Sequence, residues 1–179
     1  PAPTVWAVSS PRDGVAHVRL SAFRDATSRE LEAVVLDLKA RGMRALVLDI
    51  RGNPGGLFTA GIEVAQRFLP AGVVVTTQGQ AAEFSGRVFT SDAGMTASDV
   101  PLVLLVDART MSAAEVVAAA LKDNQRAVLV GVPTFGKGGV QYPVGVDTAD
   151  RGGNGGGVLV LTVASLFGPG GVPLTTDAG

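Results

Sequence analysis

Two short apolar runs, Ala45-Leu46-Val47-Leu48-Asp49-Ile50 and Leu102-Val103-Leu104-Leu105-Val106, constrain the fold more than any other feature of the chain. Both have strand length, and the first lacks the polar alternation of a half-solvated strand, so it predicts a strand covered on both faces. Each run is followed by a loop and then by helical periodicity. Val15 to Leu20 alternates apolar and polar side chains and predicts a strand with one buried face. Thr27-x-x-Glu30 has the form of a capping box, and Leu31, Val34, Val35 and Leu38 recur at helical spacing before Gly42, which predicts a helix over 28–41. Further helices are expected over 57–68 and 112–123. Strands are expected at 73–77, 127–130, 140–142 and 158–163, the last two separated by the turn Gly152 to Gly157, and 78–99 reads as mostly loop. This order predicts one α/β domain over residues 1–179, with a mainly parallel central sheet and flanking helices.

The 179 residues, 46% of them hydrophobic, suffice for one sizeable core. A net charge of −1 without long runs of either sign implies neither nucleic acid nor an anionic membrane as partner. The absence of cysteine excludes disulfides, thiol catalysis and cysteine-ligated metal, and one histidine makes a transition-metal site unexpected. No apolar stretch approaches the roughly 18 residues of a membrane span. Pro1-Ala2-Pro3 is neither a signal peptide nor an initiator sequence, so the chain reads as an excised soluble domain from which a targeting segment would already be gone.

Chemistry is expected at Arg51–Gly56, Ser112–Glu115 and Gly136–Gln141, because each follows a predicted strand and an open parallel sheet carries its site at the carboxyl ends of its strands. Lys137 stands out because arginine outnumbers lysine twelve to three. A general base has to be lysine, since arginine does not release its proton, and Phe135 with its neighbouring glycines predicts a close, poorly hydrated setting. Gly131 to Lys137 matches most of a phosphate loop, yet Gly138 replaces the Ser or Thr that would hold magnesium and no helix start follows. Ser112-x-x-Glu115 is a capping box by itself. A helix N-terminus also presents free N–H groups beside that serine, so cap and nucleophile are compatible. His17 lies in an alternating strand, and neither Gly-x-Ser-x-Gly nor Ser-x-x-Lys occurs.

Taken together, Val18 to Phe23, Leu48 to Gly56, Met111 to Glu115 and Thr134 to Gln141 resemble the C-terminal processing peptidases, or tail-specific proteases. In that family the nucleophilic serine precedes the base lysine by 25 positions, the separation of Ser112 and Lys137. The resemblance runs over about residues 13–170 and implies a crotonase/Clp-protease-like core without metal or organic cofactor. It implies Ser112 as nucleophile, Lys137 as base, Gln141 as the residue orienting the lysine, and an oxyanion hole of backbone N–H groups at Ala113 and at Gly55 or Gly56. Substrates would be unfolded or extended protein tails with apolar residues, in a cell envelope or lumen. Ala114 stands where members commonly have serine, and the PDZ domain that usually accompanies the core is not in this sequence. Oligomeric state is left open. Two other functions fit the same residues less well: a non-catalytic peptide-binding module, and an acyl-CoA enzyme of the crotonase type.

Overall fold

The computed structural model describes residues 2–80, 84–92, 94, 98–146 and 157–175. Its first sheet has the order β1-β2-β3-β6-β7, formed by β1 (Val5–Arg12), β2 (Val15–Leu20), β3 (Ala45–Asp49), β6 (Leu102–Val106) and β7 (Ala127–Gly131). Strands β2, β3, β6 and β7 are parallel, and β1 adds an antiparallel edge. Three helices connect these strands: α1 (Thr27–Ala40), α2 (Phe58–Gln66) and α3 (Ala113–Asp123).

The register explains the core. Val18, Leu48, Leu104 and Leu129 form one row across four strands, and the first three are fully buried together with Leu31, Val35 and Leu38 of α1 and Val116, Val117 and Leu121 of α3. The next row, His17, Val47, Val103 and Val128, points the other way and is only half-buried or exposed. The expectation that Ala45–Ile50 is covered on both faces is therefore not met by this chain, because its own helices cover one face.

The mainly parallel central sheet is present as expected, and a second sheet that the sequence did not announce accompanies it. Strands β4 (Gly72–Gly79), β5 (Arg87–Ser91), β8 (Gly139–Val146) and β9 (Gly157–Phe167) form a separate antiparallel sheet in the order β5-β4-β9-β8. The fold is mixed α/β, with one largely parallel and one antiparallel sheet. Within 78–99, which reads as loop, β5 packs Phe89 edge-on against Phe58 of α2 at 5.4 Å between ring centroids. The predicted turn Gly152–Gly157 lies outside the described residues except for Gly157, which begins β9. Among the described residues no helix is long and apolar enough to cross a membrane.

Local signals are redirected where tertiary partners offer more. Gly42 has φ +88 and stops α1 as expected. The Thr27/Glu30 box does not form, since the N-cap is Ala26. Glu30 instead accepts from the N–H and the hydroxyl of Thr4 at 2.8 and 2.7 Å, anchoring the chain ahead of β1.

Candidate active site

Strands β3, β6 and β7 end at one edge of the parallel sheet, so the segments 50–57, 107–112 and 132–138 lie together there. The first is organised by Asn53, which is fully buried. Its Nδ2 donates to Leu20 O at 3.0 Å, its Oδ1 accepts Gly55 N–H at 2.9 Å, and its carbonyl accepts Met111 N–H at 3.0 Å. One side chain thus ties the end of β2, the glycine turn and the approach to Ser112. The second segment is fastened to the first by Gly52 N–H on Asp107 Oδ1 at 2.8 Å and by the Thr110 hydroxyl on Ile50 O at 3.1 Å.

The turn holds two glycines for contact reasons. A Cβ on Gly55, at φ +91, would sit 2.9 Å from Ser112 Cβ and 3.1 Å from Ala113 N, and a Cβ on Gly56 would collide with Phe23 O. Phe23 N–H donates to Gly55 O and Leu57 N–H to Phe23 O, each at 3.0 Å, which fixes the turn against the end of β2. Gly55 N–H is held by Asn53, whereas the N–H groups of Gly56 and Ala113 have no acceptor among the described residues. Of the glycine pair, Gly56 therefore keeps the free donor.

Ser112 occupies the N-cap of α3 at φ 54 and ψ −120, a region few non-glycine residues enter. Such strain persists only where surrounding contacts over-determine it. Those contacts converge on Glu115, whose side chain is almost fully buried. Glu115 Oε2 accepts Ser112 N–H at 2.8 Å and Lys137 N–H at 2.8 Å, and Oε1 accepts Gly136 N–H at 2.6 Å. The N–H of Glu115 goes to the Ser112 carbonyl oxygen at 2.8 Å, so the first turn does not rest on the hydroxyl alone.

Ser112 and Gln141 line one cleft of about 570 Å³, together with Gly56, Leu57, Phe58, Val140 and Tyr142. A register shift between Val140 and Gln141 places a bulge where β8 passes it. Lys137 is joined to this group through its backbone, and its side chain stands exposed. The enclosed setting expected for it is absent among the described residues: Phe135 is itself 56% exposed, and the segment Val172–Leu174 packs beside Thr134, Gly136 and Gly138 and leaves Lys137 exposed. No cluster of metal-binding side chains occurs among the described residues.

With this geometry in view, comparison with known proteins is decisive, since the profile of Peptidase family S41 matches residues 14–178. The chain belongs to Peptidase family S41. The carboxyl-terminal-processing protease of Synechocystis is 43% identical over 133 residues, covering 74% of this chain and 30% of the relative. The chloroplastic C-terminal processing peptidase of Tetradesmus obliquus is 39% identical over 160 residues, covering 88% of this chain and 32% of the relative. The solved photosystem II D1 C-terminal processing protease superposes with a TM-score of 0.75 at 35% identity, over 97% of this chain and 44% of that one. The S41 chain thus spans about a third of the length of these curated relatives.

Beside the site loop of this S41 chain lies a charge cluster that sequence reasoning passed over. Asp49, 2% exposed at the end of β3, accepts from Arg51 N, Nε and Nη2 at 2.8–3.0 Å and from Arg19 Nη1 at 3.0 Å. Burial alone would raise its pKa, but the Arg51 hydrogen bonds and the charges of Arg19 and Arg51 outweigh burial and bring it down to about 2. A carboxylate depressed from 3.8 contributes stability that is present above pH 4 and lost as pH falls through 2. Wild type should therefore lose about 2 kcal/mol more than Asp49→Asn between pH 5 and pH 2. Urea unfolding across that range measures the difference, and parallel curves would remove Asp49 from the acid response.

Proposed function

We propose that the chain is the catalytic core of a serine endopeptidase that hydrolyses peptide bonds near the C-termini of proteins through an acyl-enzyme. The observation that carries this reading is the shared oxygen of Glu115, which sets the main chain of the nucleophile segment and that of the base segment each 2.8 Å from one atom. Ser112 Oγ attacks the scissile carbonyl carbon while the uncharged Lys137 amine takes its proton. The developing oxyanion is received by the N–H groups of Ala113 and Gly56, at the positive end of α3. Lys137 then passes the proton to the leaving amine, the peptide bond breaks, and water repeats the sequence on the acyl ester. Gln141, on β8 beside the cleft, orients the lysine. In the substrate complex the bound chain shields from water the Lys137 side chain that the described residues leave exposed.

The names of the relatives support the choice of C-terminal tails, and the apolar walls at Leu57, Phe58 and Val140 suit uncharged side chains in them. The reading includes a crotonase/Clp-protease-like core, a PDZ domain elsewhere in the full-length protein to recruit the tail, and an envelope or lumenal location. A direct test is incubation of the chain with an unfolded protein ending in apolar residues, read by mass spectrometry for wild type and Lys137→Arg. The arginine keeps the charge and removes the base, so cleavage should fall by about 10²-fold or more at unchanged circular dichroism. Undiminished cleavage by Lys137→Arg would exclude the lysine as base.

A further inference from the structure

The β8–β9 hairpin extends beyond the site as a ribbon whose composition contradicts its exposure. The strands carry no charged residue, and Tyr142, Val144, Leu159, Val158 and Val160 are all between 38% and 69% exposed. The register places Tyr142 opposite Leu161 and Val144 opposite Leu159 on one face, and Val158 and Val160 on the other, opposite Gly145 and Pro143. A sheet with one solvated face alternates apolar and polar residues, whereas an unbroken apolar run belongs to a strand covered on both sides. Within the described residues neither face of this ribbon is covered from Val144 outward.

Three further observations say what fits there. The ribbon is continuous with the catalytic cleft, since Tyr142 lines that cleft and the same strand carries Gln141. Among the described residues β8 is the outer strand of its sheet and pairs with no further strand, so its edge can take an extended chain. A strand laid along that edge projects alternate side chains to both faces, whereas a helix or a globular neighbour meets one face. Pro143 lacks an N–H and interrupts main-chain pairing along β8, so recognition leans on apolar side chains and repeated pairing between copies is disfavoured.

We propose that the outer half of this hairpin is an exosite for an extended apolar stretch of the substrate itself, several residues away from the bond that is cut. The proposal rests on the peptidase reading and deepens it: the enzyme selects tails by the apolar content of a longer segment and not only by the residues at the cleft. At about 3.3 Å per residue, Tyr142 to Val146 spans about 13 Å, enough for about four further substrate residues.

The test uses the Ser112→Ala chain and a fluorescein-labelled decapeptide with valine at alternate positions, followed by fluorescence polarisation. The comparison peptide has serine in place of the valines outside its central four residues. Val144→Thr/Val146→Thr and Val158→Thr/Val160→Thr keep the branched shape and strand propensity and exchange one methyl for a hydroxyl, which removes apolar contact. Each pair should weaken the valine decapeptide about tenfold and leave the comparison peptide unchanged. Failure of the parent to bind the decapeptide, or sensitivity confined to one face, would overturn the exosite. So would sedimentation showing that the variants dissociate a dimer at constant peptide affinity, which would assign the ribbon to a second copy. Labelling of Ser112 by a fluorophosphonate probe in the otherwise unchanged chain checks the peptidase reading without involving the hairpin.

Discussion

Ser112→Ala is expected to reduce peptide-bond cleavage on the order of 10⁴-fold or more, because the acyl-enzyme cannot form without the hydroxyl and the remaining groups act only in concert with it. Stability should change by less than about 1 kcal/mol. The first turn of α3 is closed by the Glu115 carboxylate on Ser112 N–H and by the Ser112 carbonyl on Glu115 N–H, and both bonds survive the substitution. The variant therefore separates chemistry from folding. Turnover is read by mass spectrometry on an unfolded substrate, alongside thermal unfolding followed by circular dichroism. Cleavage at the wild-type rate by a folded Ser112→Ala chain would end the serine-peptidase reading.

How much of this was legible beforehand is best seen in two identical signatures. Thr27-x-x-Glu30 and Ser112-x-x-Glu115 both read as capping boxes, and in both the carboxylate is recruited by segments distant in sequence. Glu30 reaches Thr4, 26 residues away, and leaves the helix start to Ala26. Glu115 keeps its bond to Ser112 and adds Gly136 and Lys137, 21 and 22 residues away. A local pattern marks a carboxylate near a helix start, and only the fold decides which N–H groups reach it. Helices α1 and α3 were readable to within one residue because their apolar positions, Leu31, Val35 and Leu38 in the one and Val116, Val117 and Leu121 in the other, are all buried.

The strands were harder. β5 has one buried residue, Ser91, and owes its conformation to pairing with β4, so its sequence carries no alternation to read. The two-sheet arrangement depends on β4 pairing with β9 across some ninety residues, a contact no window can contain. At the site, the strand order pointed to the segments Arg51–Gly56, Ser112–Glu115 and Gly136–Gln141, and the family resemblance implied Ser112, Lys137, Gln141, Ala113 and the glycine pair within them. That Gly55 N–H is engaged, while Gly56 N–H has no acceptor among the described residues, became visible only with Asn53, whose Oδ1 accepts the Gly55 N–H. An asparagine ahead of Pro-Gly-Gly reads as a turn residue, and nothing in its neighbours signals complete burial.

The largest effect outside the nucleophile and base is expected at Glu115. Glu115→Gln keeps volume and polarity but turns one of two acceptor oxygens into an NH₂ donor. Both oxygens are occupied by main-chain N–H groups, one by Gly136 and the other by Ser112 and Lys137 together, so either orientation of the amide sets donor against donor. The mismatch should cost about 1–3 kcal/mol of stability, because a buried N–H group is left without its acceptor. It should also lower kcat by about 10²-fold, since a displacement near 1 Å between nucleophile and base is enough for that loss. KM should change little, because Glu115 is not among the residues that line the cleft. Steady-state kinetics with a short apolar peptide gives the split between kcat and KM, and unfolding by heat gives the stability term independently. A folded Glu115→Gln chain with wild-type kcat would show that Ser112 and Lys137 hold their alignment without the shared carboxylate, and the geometric support for the dyad would then be lost.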